Sequence, residues 1–229
     1  MKIKNETIKC KGIAGYKMSE RLTRKEWKRR KRIKKVIGLS IAALVGVVML
    51  ALLLKQTRKT DAPGIKVALL TPNEYSRPQT PLKKIKGIVV HYTANPGTTG
   101  WENRNYFENL KDSHTTKVSS HFIIGLDGTI IQNIPLNEIA YASNERNADT
   151  ISIECCHPKK NGKFTKKTYE SLIKLTAWLA GEYNLKKKDI IRHYDVTGKN
   201  CPKYYVEHEE KWNQFKEDVF SYENKKEKK

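Results

Sequence analysis

The sequence predicts an α/β domain with a mixed central β-sheet flanked by α-helices, preceded by a single transmembrane helix. Three observations predict it. Short β-branched runs alternate with amphipathic segments after residue 82. One pair of those runs reads as a hairpin, which a purely parallel sheet would lack. Nineteen residues near the N-terminus, "VIGLSIAALVGVVMLALLL" (36–54), carry no charge.

At the helical rise, residues 36–54 extend roughly 29 Å, about the thickness of a bilayer's hydrocarbon core. A soluble helix this apolar on every face is unusual. The run exceeds the ~7–15 apolar residues of a cleaved signal, and no small-residue cleavage site follows before "KQTRK". The reading is an uncleaved single-pass anchor. Lys17–Lys35 holds eleven Lys/Arg against two Glu, whereas Lys55–Lys59 holds three basic residues. Basic flanks stay cytoplasmic, so residues 1–35 form a basic cytoplasmic tail and the C-terminal bulk lies outside the membrane.

The net charge of +21 divides along the same line. Residues 1–54 contain fifteen basic and three acidic side chains; the remainder contains thirty and twenty-one. The first excess suits anionic inner-leaflet lipid, the second an anionic partner outside, such as a cell-wall polymer. No groove-reading motif or aromatic-interleaved basic stripe supports nucleic acid as a partner, and nothing specifies an oligomeric state.

Residues 55–81, with "DAPG" and "TPNEYSRPQTP", read as an extracytoplasmic linker. The folded domain is expected over 82–222, with a lysine-rich tail at 223–229. "KGIVVHYT" is a buried strand whose end reaches a polar cluster, followed by the turn "NPGTTG". "WENRNYFENL" is a short amphipathic helix. "SSHFIIGLDGTIIQNIP" is the hairpin, two β-branched runs around Asp127-Gly128. "TISIECC" is a further strand. Thr165 caps a helix through "TKKTYESLIKLTAWLAGEYNL", whose apolar face carries Tyr169, Leu172, Ile173, Thr176, Leu179 and Ala180. "KKDIIRHYD" is a short strand running into a loop, and a last helix covers roughly 206–220.

Four cysteines, Cys10, Cys155, Cys156 and Cys201, lack the repeated spacing of a disulfide framework. Cys155 and Cys156 face opposite ways if their strand persists. Zinc takes sulfur and imidazole donors, and its catalytic sites use three protein ligands plus an open position. His193 and Cys201 lie eight residues apart across a loop, and His91 ends a separate strand. On spacing alone, a strand-end histidine such as His91 is more often structural than metal-bound, and Cys201 more often a small buried hydrophobe.

In order along the chain, "IVVHYTA", "SSHFIIGLDGTIIQNIP", "TISIECC" and "RHYDVTGKNCP" resemble the zinc-dependent N-acetylmuramoyl-L-alanine amidases of the type 2 family. That family includes bacterial autolysins and phage endolysins and is related to the peptidoglycan recognition proteins. The resemblance runs from about residue 85 to 205. It implies a peptidoglycan substrate cut at the amide between N-acetylmuramic acid and L-alanine. It also implies a Zn²⁺ cofactor held by His91, His193 and Cys201. Glu154 corresponds to the acidic residue near the attacking water, and Lys199 to the lysine at the reaction centre. Tyr92, Thr93 and Asn95, after the first ligand, are expected to line the substrate groove. His121 is expected in that groove or behind the ligands, and His114, His157 and His208 at the surface. A muropeptide-binding module of the same fold without hydrolysis is the alternative. No HExxH helix is present, which removes the commonest zinc-peptidase signature.

Overall fold

The computed structural model describes residues 24–56 and 60–222, with the side chains of 24 and 50–56 left out. The chain divides into two units, 1–57 and 58–229, each described by itself. In the first, one helix, α1 (Arg24–Gln56), carries both the basic stretch and the apolar run. Among the described residues no helix is long and apolar enough to cross a membrane. The described side chains stop at Met49, five residues before the apolar run ends. The expected tail at 223–229 lies outside the described residues, as do 1–23 of the cytoplasmic segment.

The second unit is a six-stranded sheet between helices. Its strands are β1 (Ile65–Val67), β2 (Gly87–Tyr92), β3 (Phe122–Ile124), β4 (Ile130–Gln132), β5 (Thr150–Cys155) and β6 (Ile190–Arg192). They lie in the order β1-β4-β3-β5-β2-β6. Only the β3–β4 hairpin is antiparallel, so the sheet is mixed as expected. The hairpin turn is held by Asp127, whose carboxylate accepts from Thr129 N and Oγ1 at 3.0 and 2.8 Å.

The helices of this unit are α2 (Gly100–Ser113), α3 (Lys166–Glu182), α4 (His193–Thr197), α5 (Lys203–Glu207) and α6 (Glu209–Ser221). Thr99 and Glu102 close a capping box at the start of α2, and the Thr165 side chain caps α3 as its sequence requires. Period-two alternation splits the core. Ile88 and Val90 of β2, Ile151, Ile153 and Cys155 of β5, and Phe122 and Ile124 of β3 pack with Leu172 and Leu175 of α3 and Trp212 and Phe215 of α6. The opposite face buries Ile123 and Cys156 with Phe107 and Leu110 of α2. Cys155 and Cys156 thus do face opposite ways, both buried as free thiols.

Three expectations change. Residues 60–81 are not a free linker but an arm fixed to the domain. β1 pairs with β4, and Leu70 is buried in the α2 core. Thr71 donates to the Glu108 carboxylate from both N and Oγ1, at 3.1 and 2.6 Å. Arg77 makes a two-pronged ion pair with Glu138 at 2.8 Å. Polar and proline-rich composition misled because this arm is held by side-chain hydrogen bonds rather than by an apolar run. Second, the "RHYD" segment leaves β6 directly into α4, not into a loop. Third, the expected last helix is two, α5 and α6, parted at His208.

Candidate active site

β2, β5 and β6 run parallel, so their C-terminal ends share one edge of the sheet, where open α/β sheets place their ligands. Each end delivers one functional segment. His91 is the fifth residue of β2 and is in register with Glu154 of β5. Register partners on neighbouring strands project to the same face, so imidazole and carboxyl stand side by side. β6 ends at Arg192, and His193 opens α4. The chain turns at Gly198, in the left-handed region at φ +76°, and returns Cys201 to the same edge. Tyr194 N donates to Cys201 O at 2.9 Å, closing this loop at its neck.

One ligand atom from each of His91, His193 and Cys201 lies within 4.8 Å of the others, and all three residues are buried. His91 Nδ1 is 3.9 Å from Cys201 Sγ, and the two imidazole rings meet edge-on at 4.7 Å between centroids. The far nitrogen of His91, Nε2, is 3.1 Å from Ser143 Oγ. With Nδ1 as the metal-ligating atom, Nε2–H would donate to that hydroxyl, which would fix the tautomer. Ser143 is held in turn, its N–H donating to Asn147 Oδ1 at 2.6 Å.

Burial holds the groups of this cluster in their neutral forms. Burial, and then their neighbours His193 and Lys199, push the His91 pKa well below its usual value. Burial and Lys199 lower that of His193. Both rings are therefore neutral at pH 7, the form that ligates metal. Burial, with Glu154 second, pushes the Cys201 thiol up to about 12, while a backbone hydrogen bond from Tyr92 and the charge of Lys199 work the other way. Burial pushes Glu154 up to about 8, with Lys199 pulling it down. Glu154 Oε2 is buried without a hydrogen-bond partner among the described residues. A carboxyl with one oxygen buried and unpartnered, beside two neutral imidazoles and a thiol, is costly alone and would be relieved by a divalent cation. Two nitrogens and one sulfur are a donor set that zinc accepts.

Lys199 lies exposed on the loop between His193 and Cys201. Its charge acts on His91, Glu154, His193 and Cys201 alike. Tyr92 is half-buried, its ring 5.0 Å from that of His157. Thr93 continues β2: its N–H donates to Cys155 O at 3.1 Å, and its hydroxyl oxygen is buried without a partner among the described residues. Asn95 is exposed in the turn before α2, its carbonyl accepting from Thr98 Oγ1 at 2.7 Å.

His121 is not brought to this edge. It precedes β3 and is buried; Ser152 N donates to its Nδ1 at 3.0 Å, and its Nε2 is 2.9 Å from Glu138 O. Both ring nitrogens are engaged, so neither is left for metal or substrate, and burial holds its pKa down at about 4. His157, expected at the surface, is 1% exposed; His114 is exposed and stacks on Tyr75. Ser143 and Asn147 escaped the sequence reading, because a single serine in "YASNERN" carries no local signature of a partner fifty residues away.

A profile of the family described as N-acetylmuramoyl-L-alanine amidase matches residues 81–204. The chain is 35% identical over 163 residues to the N-acetylmuramoyl-L-alanine amidase CwlL of Bacillus licheniformis, covering 65% of this chain and 44% of the relative. It is 33% identical over 168 residues to the amidase BlyA of Bacillus subtilis (strain 168), covering 64% and 44%. The chain thus spans under half the length of these curated relatives. Among solved structures, PlyL superposes with a TM-score of 0.59 at 28% identity, over 69% of this chain and 97% of that one.

Proposed function

Because this chain belongs to the N-acetylmuramoyl-L-alanine amidase family, we propose that it is a membrane-anchored peptidoglycan hydrolase that cuts the amide between N-acetylmuramic acid and L-alanine. The observation that carries the reading is the convergence of His91, His193 and Cys201 within 4.8 Å, with Glu154 in register beside His91. The names of the relatives CwlL and BlyA support the same bond as target.

His91, His193 and Cys201 would hold zinc, which when bound supplies a Lewis acid and lowers the pKa of water toward ~7. Glu154 takes the proton of the attacking water and returns it to the departing alanine nitrogen. Burial raises its proton affinity, to a pKa of about 8 without metal, which suits a group that must hold that proton between the two events. Lys199 faces the scissile carbonyl and stabilises the negative charge that develops on its oxygen. Ser143, through His91 Nε2, keeps the imidazole in its ligating orientation. Tyr92, Thr93 and Asn95 follow the first ligand along the open rim, where the substrate lies.

The membrane anchor rests on α1. Apart from Ser40 every side chain of residues 36–54 is apolar or absent, and the Ser40 hydroxyl donates to Val36 O at 3.0 Å. A polar group satisfied within its own helix suits hydrocarbon. Nine apolar side chains from Val36 to Met49 are 49–65% exposed, a surface that lipid would cover. With the basic segment inside, the catalytic domain would face the wall.

The test is incubation of the purified chain with intact wall sacculi, with and without a chelator. New amino termini on L-alanine, no new reducing sugar ends, and loss of release with chelator are the expected result. Retention on sacculi without release would instead support a muropeptide-binding module.

A further inference from the structure

The turn after β5 is built against residues one to three places after two of the three proposed metal ligands. Gly162 sits at φ +75°, and a Cβ there would stand 3.2 Å from Tyr92 Cδ2, 3.2 Å from Lys203 Cβ and 3.3 Å from Tyr204 N. Tyr92 follows His91, and Lys203 lies two residues after Cys201. The turn is shaped to stay there. Gly162 N donates to Lys159 O at 3.0 Å, and Lys163 N to Asn161 Oδ1 at 3.1 Å. His157 pins its start, with Nδ1 2.8 Å from Lys159 O and its ring against Tyr92. Lys163 Nζ stands 5.5 Å from the Tyr204 ring.

Nothing in the catalytic reading uses this turn, yet it carries Lys159, Lys160 and Lys163, all exposed. Among the described residues none of these, nor Lys203, forms an ion pair. The acidic group nearest in sequence to Lys203 is Glu207, exposed on α5 and accepting from Asn200 at 3.1 Å. A rigid turn with three uncompensated cations, packed on the flank of the candidate centre, is a place for an anion.

We propose that Lys159, Lys160, Lys163 and Lys203 form a carboxylate-reading rim of the active site, which selects stem peptides bearing a free carboxylate on the residue after L-alanine. The proposal rests on the amidase reading. One extended residue covers roughly 3.3–3.6 Å, so the charge of that next residue falls within two residues' length of the scissile carbonyl. Tyr92 and Lys203, which follow His91 and Cys201 closely in the chain, hold the lysine turn against this flank of the centre. Exposed ion pairs are individually weak, on the order of two- to fivefold each, and are screened by salt. Several together give a preference of order tenfold at low ionic strength.

The test uses the full chain in detergent with two synthetic muramoyl peptides, identical except that the second residue's free carboxylate is an amide in one. The expected result is a kcat/KM ratio of about ten favouring the acidic peptide, carried by KM. The ratio falls toward one in Lys159→Gln/Lys160→Gln/Lys163→Gln and in 0.5 M salt. A control of equal net charge, Lys174→Gln/Lys186→Gln/Lys188→Gln, keeps it, and circular dichroism checks the fold of each variant. A wild-type ratio of one, or a ratio retained in the turn variant, overturns the proposal. A turn variant that keeps its peptide ratio but loses retention on walls rich in phosphodiester polymer also overturns it, assigning the lysines to that polymer. If neither peptide is cut, the amidase reading fails. The ratio of equilibrium affinities of the two peptides for the chain then decides the rim by itself.

Discussion

Replacing Glu154 by glutamine should stabilise the metal-free protein while removing turnover. The carboxyl has one oxygen buried without a partner, and burial moves its pKa from 4.5 to about 8. Between those values the unfolded chain ionises this group and the folded chain does not. The unfolded state then binds fewer protons, so stability falls as pH rises through the window. From pH 4.5 to 7 is 2.5 units, and at ~1.4 kcal/mol per unit the cost is about 3 kcal/mol, an upper value because the residue keeps some exposure to water. Glutamine has the same shape and no ionisation. In chelator, Glu154→Gln should therefore gain up to roughly 3 kcal/mol on wild type between pH 4.5 and pH 7, read as about 6–10 °C in Tm. A dication nearby favours the ionised carboxylate, so added zinc should shrink that gain. The assay is thermal unfolding of both proteins at the two pH values, with chelator and with zinc. If the variant tracks wild type in chelator at both pH values, the carboxyl is not buried and unpaired as described. Full amide hydrolysis by Glu154→Gln would remove it from the proton-transfer role.

Further outcomes follow from the same geometry. Ser143→Ala removes the acceptor at His91 Nε2 and should weaken zinc affinity about tenfold or more, measured by competition with a chromophoric chelator. Lys199→Met should lower kcat by roughly 10²–10³ with metal content unchanged, since its charge is used at the reacting oxygen; loss of metal instead would make it a structural residue. Leu70→Ala should cost about 2–4 kcal/mol in denaturant unfolding if the arm is part of the core, whereas a free linker would give no change. His121, neutral in the fold down to about pH 4, binds its proton in the unfolded chain from about 6.5 downward. Acidification from pH 7 to 5 should therefore lower stability, and a His121 variant that folds should show a shallower slope.

Sequence carried much of this fold because its signals were local. The hairpin rests on Asp127 bonding to Thr129 two residues on, and α3 rests on the Thr165 cap and an apolar stripe. Both are readable within a short window. The three donors and Glu154 were legible only through the order of motifs, since spacing alone does not say that β2, β5 and β6 end at one edge. What escaped depends on distant partners. The arm at 60–81 looks like a linker until Thr71 meets Glu108 and Arg77 meets Glu138. His121 looks like a site residue until Ser152 and the Glu138 carbonyl take both its nitrogens. His157 looks exposed in "CHPKK" until the turn folds its ring onto Tyr92.

The account turns on whether His91, His193 and Cys201 hold one zinc ion together. X-ray absorption at the zinc edge of the purified chain addresses this directly. One zinc per chain with two imidazole nitrogens and one sulfur in its shell, the sulfur vanishing in Cys201→Ser, is the predicted result. Protein that takes up no zinc, or binds it without sulfur, would contradict it.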